Sequence, residues 1–160
     1  MIMKKNAIKI YTDGAARGNP GPAGWGVVFL ADKKIFELGG RADYATNNQM
    51  ELTAPIEALK YLKNLPHRQD LWGNVEIVSD SKYVILGITE WIFNWERNGW
   101  RNAAKKPVLN RELWEELYKL TQELKPKWDY VEGHNGDKYN ERADEIATSF
   151  ADDMPVKLRK

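Results

Sequence analysis

The chain has 160 residues, 42% hydrophobic and 29% charged, which suits one folded domain with one core and excludes a largely disordered polypeptide. The absence of cysteine excludes a disulfide framework and a thiolate metal site. The formal net charge is +1, too balanced to indicate or exclude a polyanionic partner, and no apolar run is long enough for a signal-peptide core or a membrane span. The expectation is a cytoplasmic monomer: one domain over residues 1–160, with a core from about 7 to 151.

Ala7 to Asp13 alternates, with Ile8, Ile10 and Thr12 on one face, and predicts a strand. Gly14 to Gly24 is rich in Gly and Pro and reads as a loop. Trp25–Leu30 and Ile35–Leu38 predict two strands joined by the turn Ala31-Asp32-Lys33, completing an antiparallel meander. Thr46-Asn47-Asn48-Gln49 matches a capping box, so a helix should start there and run to about Leu62, with Met50, Ala54, Ala58 and Leu62 at helical spacing. Pro55 cannot donate to the carbonyl of Glu51, and a kink is expected there.

Val75–Ser79 predicts a buried strand ending at Asp80. Ser81–Leu86 predicts a short helix closed by Gly87, and Thr89 is the expected cap of another, through about Trp95. Asn110 is the expected cap of a stronger helix, with Leu113, Leu117, Leu120 and Leu124 along one stripe. Lys127–Glu132 predicts a strand after Pro126, and Gly133-His134-Asn135-Gly136 a loop. The last helix is expected from Asn140 to Phe150, with Ala143, Ile146, Ala147 and Phe150 inward. The polar tail, residues 152–160, is expected to fray. Three strands, a helix, a strand, helices, a strand and a helix make an α/β layered domain with a mixed sheet.

Charge is distributed unevenly. From Trp91 to Arg111 the basic residues are Arg97, Arg101, Lys105, Lys106 and Arg111 and the only acid is Glu96, a net +4 that leaves −3 for the rest. Trp91, Trp95 and Trp100 are interleaved with them, a pattern that suits packing on sugars or bases while cations meet phosphates. The same tryptophans are equally core residues between two helices.

Asp13 and Asp80 each end a strand. If the two strands are parallel neighbours, both carboxylates emerge at the sheet end where α/β folds bind ligands. Glu51 and Asp144 lie in the first turn or so of two helices that could aim at the same spot. Taken singly, each is better read as a turn former or a partner of a helix dipole. Taken together, four carboxylates repel unless a cation neutralises them, and oxygen-only ligands suit Mg²⁺ or Mn²⁺ rather than zinc.

Five segments, in order, resemble type 1 ribonuclease H. They are Tyr11-Thr12-Asp13-Gly14-Ala15, Gly18-Asn19-Pro20-Gly21-Pro22, Thr46-Asn47-Asn48-Gln49-Met50-Glu51-Leu52, Ser79-Asp80-Ser81, and Gly133-His134 followed by Asn140-Glu141-Arg142-Ala143-Asp144. The resemblance covers about Ala7 to Ala151. It implies a ribonuclease H-like five-stranded mixed sheet, an antiparallel three-strand meander plus parallel strands, flanked by helices. It implies endonucleolytic hydrolysis of the RNA strand of an RNA–DNA hybrid by two Mg²⁺ ions, with Mn²⁺ as substitute, leaving 5′-phosphate and 3′-hydroxyl ends. The implied catalytic set is Asp13, Glu51, Asp80 and Asp144 on the metals, with Asp13 bridging both, and His134 in proton transfer or product release.

The same resemblance puts Asn19, Asn47 and Asn48 along the cleft, and Thr46 and Asn110 on a DNA phosphate. It makes Trp91, Trp95, Arg97, Arg101, Lys105 and Lys106 a protrusion holding the DNA strand. Three positions depart from bacterial relatives: Glu96 and Asn98 where lysine is frequent, and Tyr44 where some have arginine. Two other readings compete, another nuclease of the same fold and a non-catalytic hybrid-binding module.

Overall fold

The computed structural model describes residues 7–133 and 135–160. Among them, five strands form one sheet in the order β3-β2-β1-β4-β5. The strands are β1 (Ile8–Ala16), β2 (Gly21–Ala31), β3 (Lys34–Ala45), β4 (Val75–Ser79) and β5 (Lys127–Tyr130). β1, β2 and β3 pair antiparallel, whereas β4 runs parallel to β1 and β5 parallel to β4. The mixed sheet is thus the one expected, but the strands are longer at the functional end. Residues 14–16 and 21–24 belong to β1 and β2, because Gly14 to Ala16 pair with Ala23 to Trp25 instead of looping out.

Helix α1 (Asn47–Lys63) starts on the expected capping box: Thr46 Oγ1 accepts the Gln49 N–H and Gln49 Oε1 accepts the Thr46 N–H. It continues without a break through the buried Pro55. Its apolar face, with that of α4 (Arg111–Leu124), covers one side of the sheet around Ile10, Phe29 and Ile77. Helix α5 (Lys138–Ala151) covers the other side, against Tyr11, Val28 and Val78. It begins two residues earlier than expected because Asp137 caps it, accepting the N–H groups of Tyr139 and Asn140.

Three expectations about helix ends are corrected. Gly87 does not close α2 (Lys82–Leu86); its backbone is helical, and the chain continues through a π-helical turn, Gly87–Trp91, into α3 (Ile92–Asn98). A Cβ at Gly87 would fall inside the Trp114 ring, so the glycine serves close packing and not termination. Thr89 lies within that turn and caps nothing; its hydroxyl donates to the Ile85 carbonyl. Asn110 precedes α4 in the left-handed conformation and makes no side-chain cap, its amide being engaged elsewhere.

The tail is also corrected. Its backbone docks on the outer strand: Glu37 N–H donates to the Arg159 carbonyl and Arg159 N–H to Glu37 Oε1, both at 2.8 Å. Val156 N–H donates to Ser149 Oγ, and Val156 and Leu158 pack on the α5 side of the core. Among the described residues no helix is long and apolar enough to cross a membrane.

Candidate active site

The site follows from the parallel pairing of β1 with β4. That ladder ends at the Thr12–Ser79 pair, so Asp13 and Asp80 stand side by side just beyond it; only β4 ends there, whereas Asp13, expected to end its strand, lies within β1 and pairs with Gly26 of β2. Glu51 reaches them because α1 lies directly on β1. A Cβ at Gly14 would collide with the Met50 and Glu51 backbones, so only glycine allows this approach. Carboxylate oxygens of Asp13, Glu51 and Asp80 lie within 4.8 Å of one another, the first two residues buried and the third half-buried. Gly14 N–H donates both to Asp13 Oδ1 at 2.9 Å and, in a short contact, to Glu51 Oε1.

Three carboxylates in one pocket cannot all stay charged cheaply in the absence of a cation. Burial pushes the Asp13 carboxyl far above its ordinary range, and hydrogen bonding to Glu51 with the charges of Glu51, Asp80 and Asp144 adds to the rise. Burial likewise pushes Glu51 up to about 7, partly offset by hydrogen bonds with Asp13, the Gly14 N–H and Ser81. A donor set made only of carboxylate oxygens, whose repulsion a cation relieves, fits a hard divalent ion. Asp144 stands outside the group of three, half-buried in the second turn of α5, and bears on Asp13 through its charge. His134 lies outside the described residues.

A family model described as RNase H matches residues 5–152. The chain belongs to the ribonuclease H family. A ribonuclease H of Thermosynechococcus vestitus is 51% identical over 151 residues, which cover 94% of this chain and 92% of that protein. LC9-RNase H1, a type 1 RNase H with the type 2 active-site motif, shares the fold with a TM-score of 0.79 at 24% identity, over 96% of this chain and 76% of that one. LC11-RNase H1 in complex with an RNA/DNA hybrid aligns with a TM-score of 0.64 at 29% identity, over 91% of this chain and 97% of that one. Family membership makes the chain a ribonuclease, a metal-dependent phosphodiester hydrolase.

The expected substrate residues fall on the turn between β1 and β2, the start of α1 and the segment from Trp91 to Asn110. Asn19 Oδ1 accepts the Asn47 N–H at 2.9 Å, which fastens the turn between β1 and β2 to the start of α1, with Asn47 and Asn48 exposed beside it. Trp91, Trp95, Arg97 and Arg101 line one groove of the protrusion. Trp91 is exposed, whereas Trp95 packs at 5.3 Å from the buried Trp114 ring and 6.0 Å from Trp100, and so belongs to both core and groove. Asn102 Oδ1 accepts the N–H groups of Ala104 and Lys106 and shapes the exposed turn that carries Lys105 and Lys106. Two residues inside the five ordered segments make contacts that no local pattern announces. Gly133 lies so close to Asp80 that an added Cβ would sit 2.9 Å from its Oδ2, and Ser81 touches Glu51 while capping α2.

Proposed function

We propose that this chain cuts the RNA strand of RNA–DNA hybrids endonucleolytically, leaving 5′-phosphate and 3′-hydroxyl ends. The observation that carries the reading is the buried cluster of Asp13, Glu51 and Asp80 in a chain of this family. These three, with Asp144, would hold two Mg²⁺ ions, or Mn²⁺ in their place. Bound there, such ions supply an activated water and neutralise the leaving oxygen of a phosphodiester.

The chain's own groups do the rest. Gly14 N–H holds Asp13 and Glu51 in fixed orientation, and Asp13, which feels the charge of the other three carboxyls, would be the ligand common to both ions. Asn19, Asn47 and Asn48 offer amide and backbone groups to the minor groove, where the 2′-hydroxyl distinguishes RNA from DNA. Thr46 and Asn110 meet a DNA phosphate. Trp91, Trp95, Arg97, Arg101, Lys105 and Lys106 grip the DNA strand, and His134 assists proton transfer or product release. The solved hybrid complex of LC11-RNase H1 supports a hybrid substrate. On this reading residues 1–160 act as one domain, monomeric, in the cytoplasm.

The test is incubation with labelled RNA–DNA hybrid, duplex RNA and duplex DNA, each with Mg²⁺, Mn²⁺ or EDTA. RNA in the hybrid should be cut with either metal and spared with EDTA. Equal cutting of duplex DNA would overturn the reading in favour of another nuclease of this fold. Hybrid binding without cleavage under either metal would favour the non-catalytic module.

A further inference from the structure

Tyr83 stands three residues after Asp80 and joins elements that the mechanism above treats separately. Its hydroxyl accepts Trp114 Nε1–H at 3.0 Å and Asn110 Nδ2–H at 3.2 Å. An indole nitrogen can only donate, and Trp114 is fully buried, so it fixes the hydroxyl in place. The ring is held as well, its centroid 5.1 Å from that of Trp114 and 6.2 Å from that of Trp91, an exposed tryptophan of the protrusion groove.

Asn110 depends on this hydroxyl because nothing else described aims it. It is half-buried, sits at φ 63° ahead of α4 and leaves its own helix uncapped. With one amide N–H engaged by Tyr83, a second N–H and the carbonyl oxygen remain for a ligand. Asp80 is followed by Ser81, the cap of α2, and Tyr83 is the second residue of that helix. The path from the carboxylate cluster to Asn110 therefore runs through one short segment and the Tyr83 hydroxyl.

We infer that Tyr83 is a positioning residue, whose hydroxyl holds the Asn110 amide in place to meet a backbone phosphate of the hybrid. This rests on the hybrid-cutting reading. An amide already held gives up less conformational freedom on binding than one free to rotate.

Tyr83→Phe keeps the ring packing and removes only the hydroxyl. KM for a defined hybrid should rise roughly fivefold, the worth of one hydrogen bond, with kcat within about twofold. The variant should also melt lower, since the Trp114 N–H loses its partner. A purely structural role would show that loss of stability with KM unmoved. Asn110→Ala and the double variant close the cycle. Asn110→Ala should raise KM by a similar factor, and the double variant should be no worse than Asn110→Ala alone. If the two effects multiply, or if Asn110→Ala raises KM while Tyr83→Phe does not, the inference is overturned and the hybrid-cutting reading stands. If Asn110→Ala leaves KM unchanged, the phosphate contact itself fails and the inference falls with it.

Discussion

Asp13 and Glu37 are almost equally buried, 6% and 5% exposed, yet their carboxyls are displaced in opposite directions. Burial, the largest influence on both, pushes each upward. At Glu37 it is overcome: Arg142 donates twice, at 2.7 and 3.0 Å, and Arg159 N–H once, and the carboxyl ends below its ordinary range. At Asp13 the neighbouring groups are carboxyls, Glu51 and Asp80, and the carboxyl ends above it. One region brings its own cation and is electrostatically closed. The other is built to receive a cation from outside, and repulsion is stored there until one arrives.

The comparison breaks most sharply at Asp13→Asn. Hybrid cleavage should fall on the order of a thousandfold or more if Asp13 is the metal ligand proposed above. In EDTA near neutral pH the same variant should be more stable than wild type by about 1 kcal/mol, because asparagine is neutral without taking up the proton that buried Asp13 requires. Saturating Mg²⁺ should narrow the difference, since the ion binds the folded state of wild type. The measurements are a cleavage assay and paired melting curves in EDTA and Mg²⁺. A lower melting point for Asp13→Asn in EDTA would show that Asp13 is held by structural hydrogen bonds and not strained by its neighbours.

Arg142→Ala tests the opposite region. It strands a buried carboxylate, and the expected cost is about 3 kcal/mol, the low end for a broken buried pair, because the Arg142 side chain is 26% exposed. Urea denaturation reads it directly; a cost near zero would mean that solvent replaces the guanidinium. Removing Val156–Lys160 should cost less, about 2 kcal/mol, through the Arg159 hydrogen bonds and the packing of Val156 and Leu158. kcat on the hybrid should not change. An unaltered denaturation midpoint would return the tail to the fraying segment that its polarity suggests.

The smallest effect separates the regions by pH. The folded values of Asp13 and Glu51 are raised, so the metal-free fold binds protons that the unfolded chain has released. Their contribution is therefore present below the ordinary carboxylate range and is lost as pH rises, with Glu51 ionising at about 7. Glu37 has the opposite sign: its contribution is present above the ordinary range and is lost as pH falls through its depressed value. In EDTA, wild type should lose on the order of 1 kcal/mol between pH 5 and 7, and Asp13→Asn should lose less. Parallel pH profiles for the two proteins would remove the cluster as the source.

What the sequence by itself determined was whatever is written at short range. The Thr46–Gln49 box, the alternation into Asp13, the strand ending at Asp80 and the stripe of α4 follow from 3.6- and 2-residue periods and from side chains that reach their own backbone. The five ordered segments pointed to the family and to the carboxylates. Only the tertiary structure decided which surfaces meet. Gly87 has two uses, ending a helix and admitting a neighbour, and the Trp114 ring selects the second. The tail is polar by composition, yet Arg159 serves Glu37, a residue 122 positions away. The closeness of Asp13, Glu51 and Asp80 depends on parallel pairing of β1 with β4 and on the contact of Gly14 with α1. Tyr83 gives no local signal, because its hydroxyl takes donors 27 and 31 positions ahead. Spacing along the chain encodes an element and its exposed face, whereas complementarity between distant faces exists only once they have packed.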